Sequence, residues 1–316
     1  MRRSPRPLPR RVAVALAAAL FSACAPPPST STTDAGPADA AMPSGPFAHW
    51  PKGPAPLQVK LPTVMMTPGQ EVDDAYSATL SNPTPVWVYN ITWDSSPGLH
   101  HSRVDVNDVG LAFSLAVGQR TGGQEFPMGY AMQLPARSKI TISYHYINAT
   151  PQNAPIDALV QFYPIPDMPA VTPIPTGFVP MLYLPIHIPA HSTKEVVSTC
   201  PLPQDVELHA LLSHIHARGR HIEASIVGGA NDGLKIYSTD LWDNAPINQY
   251  LPTIKLKAGD AIRYSCRWQN DGDAAIGFGM LAADEMCGIG GWMSPVPLGL
   301  NGVVATENAP CTFNQQ

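Results

Sequence analysis

The sequence predicts an all-β protein made of two tandem antiparallel jelly-roll β-sandwich domains, and three observations carry that prediction. The chain has 36 Pro and 24 Gly among 316 residues, and no helical stripe of apolar residues stands out along it. Its apolar residues fall instead in short alternating or β-branched runs broken by Gly, Pro, Asn and Asp. With 44% hydrophobic residues the chain has ample material for a core, at a length near that of two ordinary domains.

From the N-terminus, Arg2, Arg3, Arg6, Arg10 and Arg11 precede the apolar run 12–21, which is too short for a permanent bilayer span. Residues 1–24 are therefore expected to be an export signal. The run closes Leu20-Phe21-Ser22-Ala23-Cys24, which resembles the bacterial lipobox, so Cys24 is the expected lipid anchor of a protein facing the periplasm or held at the outer membrane. Residues 25–55, rich in Pro, Ala, Ser and Thr, are expected to be a disordered tether.

The first folded half is expected over 56–163, with strands at 85–92 and Lys139–Ile147. Pro164, Pro166, Pro169, Pro173 and Pro175 leave the stretch 164–178 too poor in backbone donors for a helix or a central strand, so it reads as a linker. The second half, 179–316, offers strands at 206–217, 221–227, 253–256 and 261–268. It also holds Cys200, Cys266, Cys287 and Cys311, an even set that predicts two disulfides in an oxidising compartment without choosing their pairing. Only 14% of residues are charged and the net charge is −5, so no basic field exists to attract nucleic acid.

Six potential metal ligands lie along the chain as His100-His101, His145, His214-Ile215-His216 and Met286. In the strand Lys139–Ile147, Ile140, Ile142, Tyr144 and Tyr146 point to one face and His145 to the other. Taken alone, such a histidine is more often a surface residue than a ligand. His100 and His101 can share an ion only where the backbone bends, and Ser95-Ser96-Pro97-Gly98 supplies residues suited to a bend. His214 and His216 are one residue apart on a strand and share a face, about 7 Å apart along the chain. Met286 alone would be core filling, but a disulfide at Cys287 would fix the backbone that carries its thioether. Imidazole with thioether favours copper over zinc. The all-imidazole set and the set containing Met286 suggest two different metal sites. His49, His187, His191, His209 and His221 are read as structural or exposed.

Leu99-His100-His101, Ser143-Tyr144-His145-Tyr146, His214-Ile215-His216 and Asp284-Glu285-Met286-Cys287 together resemble the copper type II, ascorbate-dependent monooxygenases, the family of peptidylglycine α-hydroxylating and dopamine β-monooxygenases, over most of residues 60–314. The resemblance implies two copper ions per chain. His100, His101 and His145 would hold an electron-transfer copper, while His214, His216 and Met286 would hold the catalytic copper where O2 and substrate meet. It further implies one copper on each of two jelly rolls facing across a solvent-filled cleft, ascorbate or a similar reductant as co-substrate, and disulfides Cys200–Cys311 and Cys266–Cys287.

The departures from the family are as informative as the matches. The chain has no cysteine from 25 to 199, unlike animal members with several disulfides in the first domain. Where the peptidylglycine enzymes grip a substrate carboxylate with Arg, Asn and Tyr, this chain has Leu212, Gly288 and Gly290. A carboxylate there would lose charge-assisted hydrogen bonds of about 1.5–3 kcal/mol each, which argues against peptide amidation. The expected activity is hydroxylation of a C–H bond in a small-molecule or peptide substrate. The competing expectations are an exported copper-binding lipoprotein that stores or delivers the metal without chemistry, and a carbohydrate- or surface-binding sandwich whose histidines are incidental.

Overall fold

The alternating runs become strands where the sequence places them. The computed structural model describes residues 49–108, 110–115, 120–167, 171–295, 300–306 and 309–315; the expected signal segment, Cys24 and most of the expected tether lie outside these. The first half contributes β1 (Leu57–Lys60), β2 (Val64–Met66), β3 (Glu71–Thr79), β4 (Val86–Ser95), β5 (Leu99–Val106), β6 (Gly110–Leu115), β7 (Thr121–Glu125), β8 (Tyr130–Leu134), β9 (Lys139–Ile147), β10 (Ala154–Ile156) and β11 (Ala158–Pro164). The Pro-rich stretch carries β12 (Ile174–Pro175). The second half contributes β13 (Gly177–Tyr183), β14 (His187–Ile188), β15 (Ser192–Pro201), β16 (Val206–Ile215), β17 (Gly219–Val227), β18 (Lys235–Thr239), β19 (Asn248–Leu256), β20 (Ala261–Asn270), β21 (Ile276–Gly277), β22 (Cys287–Ser294), β23 (Leu300–Thr306) and β24 (Ala309–Gln315). A single 3-10 turn, Gly229–Asn231, is the only helical element among the described residues, and none is long and apolar enough to cross a membrane.

The fold is all-β and of sandwich type. In the first half, the sheet β1-β11-β4-β8-β12, with β7 on β4, packs against β3-β9-β5-β6. Val59, Val88, Ile91 and Phe162 of the one sheet share a core with Val104, Ile140, Ile142 and Tyr146 of the other. In the second half, β19-β16-β22-β13-β23-β24 packs on β15-β20-β17-β18, with Met181, Leu208, Leu211 and Ile289 against Ile222, Ile226, Ile262 and Trp268.

Two pairs depart from the antiparallel expectation, β12 with β8 and β13 with β23. The first follows from proline spacing. Pro173 and Pro175 have no N–H to offer, while the amides between and after them, Ile174 and Thr176, donate to Gly129 and Ala131. The segment thus takes an edge position, the one place in a sheet where alternate prolines fit.

Each half has its own core, but the core of the first draws on residues from beyond the linker. Phe178, at the end of the linker stretch, and Ala210, Leu212 and Trp292 of the second half belong to the apolar cluster of the first. The Tyr130 hydroxyl donates to Glu207 at 2.8 Å across the same boundary. Trp50, inside the span expected to be tether, is buried and donates its indole N–H to the Tyr130 carbonyl. Disulfides join Cys200 to Cys311 and Cys266 to Cys287, the pairing that the resemblance implies, and they point to an oxidising environment.

Candidate metal centre

The core face of β9 alternates as read: Ile140, Ile142, Tyr144 and Tyr146 are buried in the first core. His145 leaves that face, yet it is fully buried too, because the opposite face is covered at this point by other imidazoles. On β5 the pairing to β9 slips between Leu99 and His101, a β-bulge that brings His100 and His101 to the same side. Gly98, just before it, adopts φ 94°, and a Cβ there would lie 2.6 Å from the Ile147 carbonyl oxygen, so the bend needs glycine. His101 sits directly across from His145 in the register. The three rings converge with centroids 4.9–5.3 Å apart.

His214 lies near the end of β16, between β19 and β22, and His216 follows just past the strand. Their rings are 5.1 Å apart and their Nε2 atoms 3.2 Å. The His216 Nδ1–H donates to the Asp284 carbonyl at 3.0 Å, which leaves its Nε2 as the lone-pair nitrogen. Met286 is buried one residue before β22; continuing the register Ile215↔Cys287 places it opposite His216. Glu285, also fully buried, accepts the amides of His216 (3.1 Å) and Arg218 (2.8 Å) and the Trp268 indole N–H (3.0 Å), pinning the turn after β16 to the segment that leads into Met286. Burial pushes the Glu285 carboxyl up, against the pull of those donors.

The expectation of two trios facing across a solvent-filled cleft is not what this structure shows. The His100 ring lies 4.8 Å from His216, and His101 lies 5.3 Å from His214 and 6.0 Å from His216. Among the described residues, the group of histidine, cysteine and carboxylate ligand atoms able to meet at one ion is His100, His101 and His216, all within 4.8 Å of one another, so it draws on both sets. The physical reason is apolar packing across the boundary: Ala210, Leu212 and Trp292, on β16 and β22, join the first core. Burial, reinforced by neighbouring imidazoles, lowers His100 and His101 to about 3 and holds His214 well below its ordinary value. Held uncharged by burial, the rings of His100, His101 and His214 pack closely without charge repulsion.

Neutral imidazole is the ligand form, and the orphaned nitrogens fit a metal. His100 Nε2, His101 Nδ1, His145 Nδ1 and His214 Nδ1 are buried with no hydrogen-bond partner, a costly arrangement unless an ion satisfies them. Two carboxylates that the sequence reading did not single out complete the surroundings. Glu285 lies within Asp284-Glu285-Met286-Cys287, beside the thioether. Glu71 accepts from His145 Nε2 at 2.6 Å and from the Ala282 amide at 3.3 Å, contacts that carry no local sequence signal. Burial would raise the Glu71 carboxyl, but the Ala282 amide and His145 together hold it below its usual range. The remaining five histidines are elsewhere: His209 is buried against Ser294, His187 is exposed on β14, and His49, His191 and His221 pair with Glu125, Asp273 and Asp240.

Beside His214 lies a shallow, open apolar depression with a volume of about 30 Å³. Phe178, Pro180, Leu182, Leu212, Gly288 and Gly290 line it, so the positions noted for lacking carboxylate-binding groups form an apolar wall. The glycines are there for packing: a Cβ on Gly288 would meet Leu182 at 2.5 Å, and one on Gly290 would meet Phe178 at 2.3 Å.

No family model matches the chain, and no curated protein matches it. Solved structures that resemble it include PBCV-1 VP54 fitted into a reconstruction of the virophage Sputnik (8% identity, TM-score 0.28, 77% of this chain and 95% of that one). Vicilin from hazelnut, Corylus avellana, aligns over 74% of each chain at 6% identity and TM-score 0.17. Oxalate decarboxylase from Bacillus subtilis aligns over 79% of each at 9% identity and TM-score 0.13. Similarities this low identify neither a family nor an activity for the chain.

Proposed function

We propose that this protein is a copper-dependent monooxygenase that hydroxylates a C–H bond of an uncharged, largely apolar substrate, with O2 and a one-electron reductant such as ascorbate. The observation that carries the reading is the convergence of five imidazoles from both halves, four of them with a buried ring nitrogen lacking a partner. His100, His101, His145, His214 and His216 would hold the metal, with Met286 as the soft ligand beside His216. Copper held there would supply one-electron transfer and the activation of dioxygen. The chain's own residues do the rest. Glu71 and the Asp284 carbonyl fix the tautomers of His145 and His216, Glu285 holds the turn beside Met286, and the wall of Phe178, Leu182 and Leu212 would seat an apolar C–H group next to His214. On this reading 56–163 and 179–316 are tandem jelly rolls joined by the 164–178 linker, and Cys24 anchors an exported lipoprotein.

The test is copper stoichiometry together with substrate-dependent oxygen uptake in the presence of ascorbate. Met286→Ile should abolish product while leaving copper bound by the imidazoles; full activity in that variant would refute the assignment. The packing of all five rings into one buried cluster also favours a second reading, a copper-holding protein without chemistry. That protein would bind the metal and consume no oxygen with any substrate.

A further inference from the structure

We infer that Glu71 is a positioning residue for the imidazole cluster: it holds His145 in the tautomer that presents Nδ1 to the other rings, and it ties that ring to the segment leading into Met286.

Glu71 opens β3, and in the β3–β9 register Asp73, not Glu71, stands directly across from His145. Glu71 is two residues along the same face, a diagonal position that a long side chain reaches and a short one does not. Its Oε1 takes the His145 Nε2–H at 2.6 Å. A carboxylate only accepts, so Nε2 carries a proton toward Glu71, while the buried Nδ1 has no hydrogen-bond partner of its own. The same oxygen accepts the amide of Ala282, 211 residues away and four before Met286. One carboxylate oxygen therefore joins an imidazole of the first half to the approach to the thioether of the second. Carboxylate partners of this kind orient a ligating ring and raise its basicity, and losing one typically costs about 10–100-fold in metal affinity.

The affinity part of this inference rests on the copper reading, while the tautomer and clasp parts do not. In the full chain without metal, imidazole 15N NMR should show His145 as the Nε2–H tautomer in the wild type and in Glu71→Gln, whose amide oxygen still accepts. Glu71→Ala should show a tautomer mixture, faster hydrogen exchange at the Ala282 amide, and unchanged exchange at Val104 in the first core. Its Cu(I) affinity, measured by competition with a chromophoric chelator, should fall about 10–100-fold. Glu71→Asp keeps the charge but is one methylene shorter, and should behave as Glu71→Ala does; it serves in its place if the alanine variant does not fold. An unaltered His145 tautomer or unaltered Ala282 exchange in these shortened variants overturns the inference. A wild-type chain that takes up no copper sinks the proposed function and leaves the tautomer and exchange results to decide the role of Glu71.

Discussion

Glu285 is the side chain whose removal has the clearest calculable cost. It has no solvent exposure, and its two oxygens accept three hydrogen bonds, from the His216 and Arg218 amides and from Trp268 Nε1. Glu285→Ala strands three buried donors at about 1–3 kcal/mol each, a sum of about 3–6 kcal/mol once some reach water. That is a large share of the roughly 5–15 kcal/mol that keeps a domain folded, so the alanine variant is expected to be poorly folded. Glu285→Gln is the more discriminating change. With its oxygen placed toward His216 and Trp268, its NH2 faces the Arg218 amide, so one charge-assisted hydrogen bond becomes a donor–donor contact at a cost of about 1.5–3 kcal/mol. Urea unfolding followed by tryptophan fluorescence measures this, and Trp268 itself reports on the bond. A Glu285→Gln protein within about 0.5 kcal/mol of wild type, the range of an ordinary surface change, would refute the idea that a charged acceptor pins this turn.

Gly290→Ala should lower stability by about 1–3 kcal/mol, because its Cβ would sit 2.3 Å from the Phe178 ring; Phe178→Leu should restore part of the loss in a double-mutant cycle of thermal melts. Burial holds His209 down to about 4 against an ordinary 6.5, so as pH falls the unfolded chain takes up this proton first. Its contribution to stability is intact above 6.5 and is lost as pH falls toward 4, by about 3 kcal/mol; Glu207 opposes the shift and Ser294 is the ring's partner, and His209→Gln should flatten this part of the melting-versus-pH curve. Replacing both members of Cys266–Cys287, a separation of 21 residues, should cost about 3 kcal/mol in urea unfolding, and replacing both members of Cys200–Cys311, a separation of 111, about 5 kcal/mol.

Much of the fold is legible in the sequence because strand alternation is a local property. The runs at Lys139–Ile147 and 261–268 read directly as β9 and most of β20, and the proline spacing marks the stretch that forms edge strand β12. The candidate ligands are legible for the same reason: paired and alternate histidines are visible without a partner strand. Their arrangement is not. Whether His100 and His101 face together depends on a bulge set by register against β9, and register is a relation between two strands. Glu71 reaches His145 over 74 residues and Ala282 over 211, distances at which no motif exists. The gathering of five rings depends on apolar residues such as Leu212 and Trp292, whose composition says nothing about which half they serve.

Sharing those apolar residues makes the proline-rich stretch a misleading place to cut the gene. A fragment ending there would lose Trp292, Leu212 and Phe178 from beneath its own sheets, and the complementary fragment would show the same side chains to water. The first piece would lack part of its core and the second would carry an exposed apolar face, so the halves of the intact chain should melt as one coupled transition in calorimetry, and the two pieces expressed together should be more soluble than either alone.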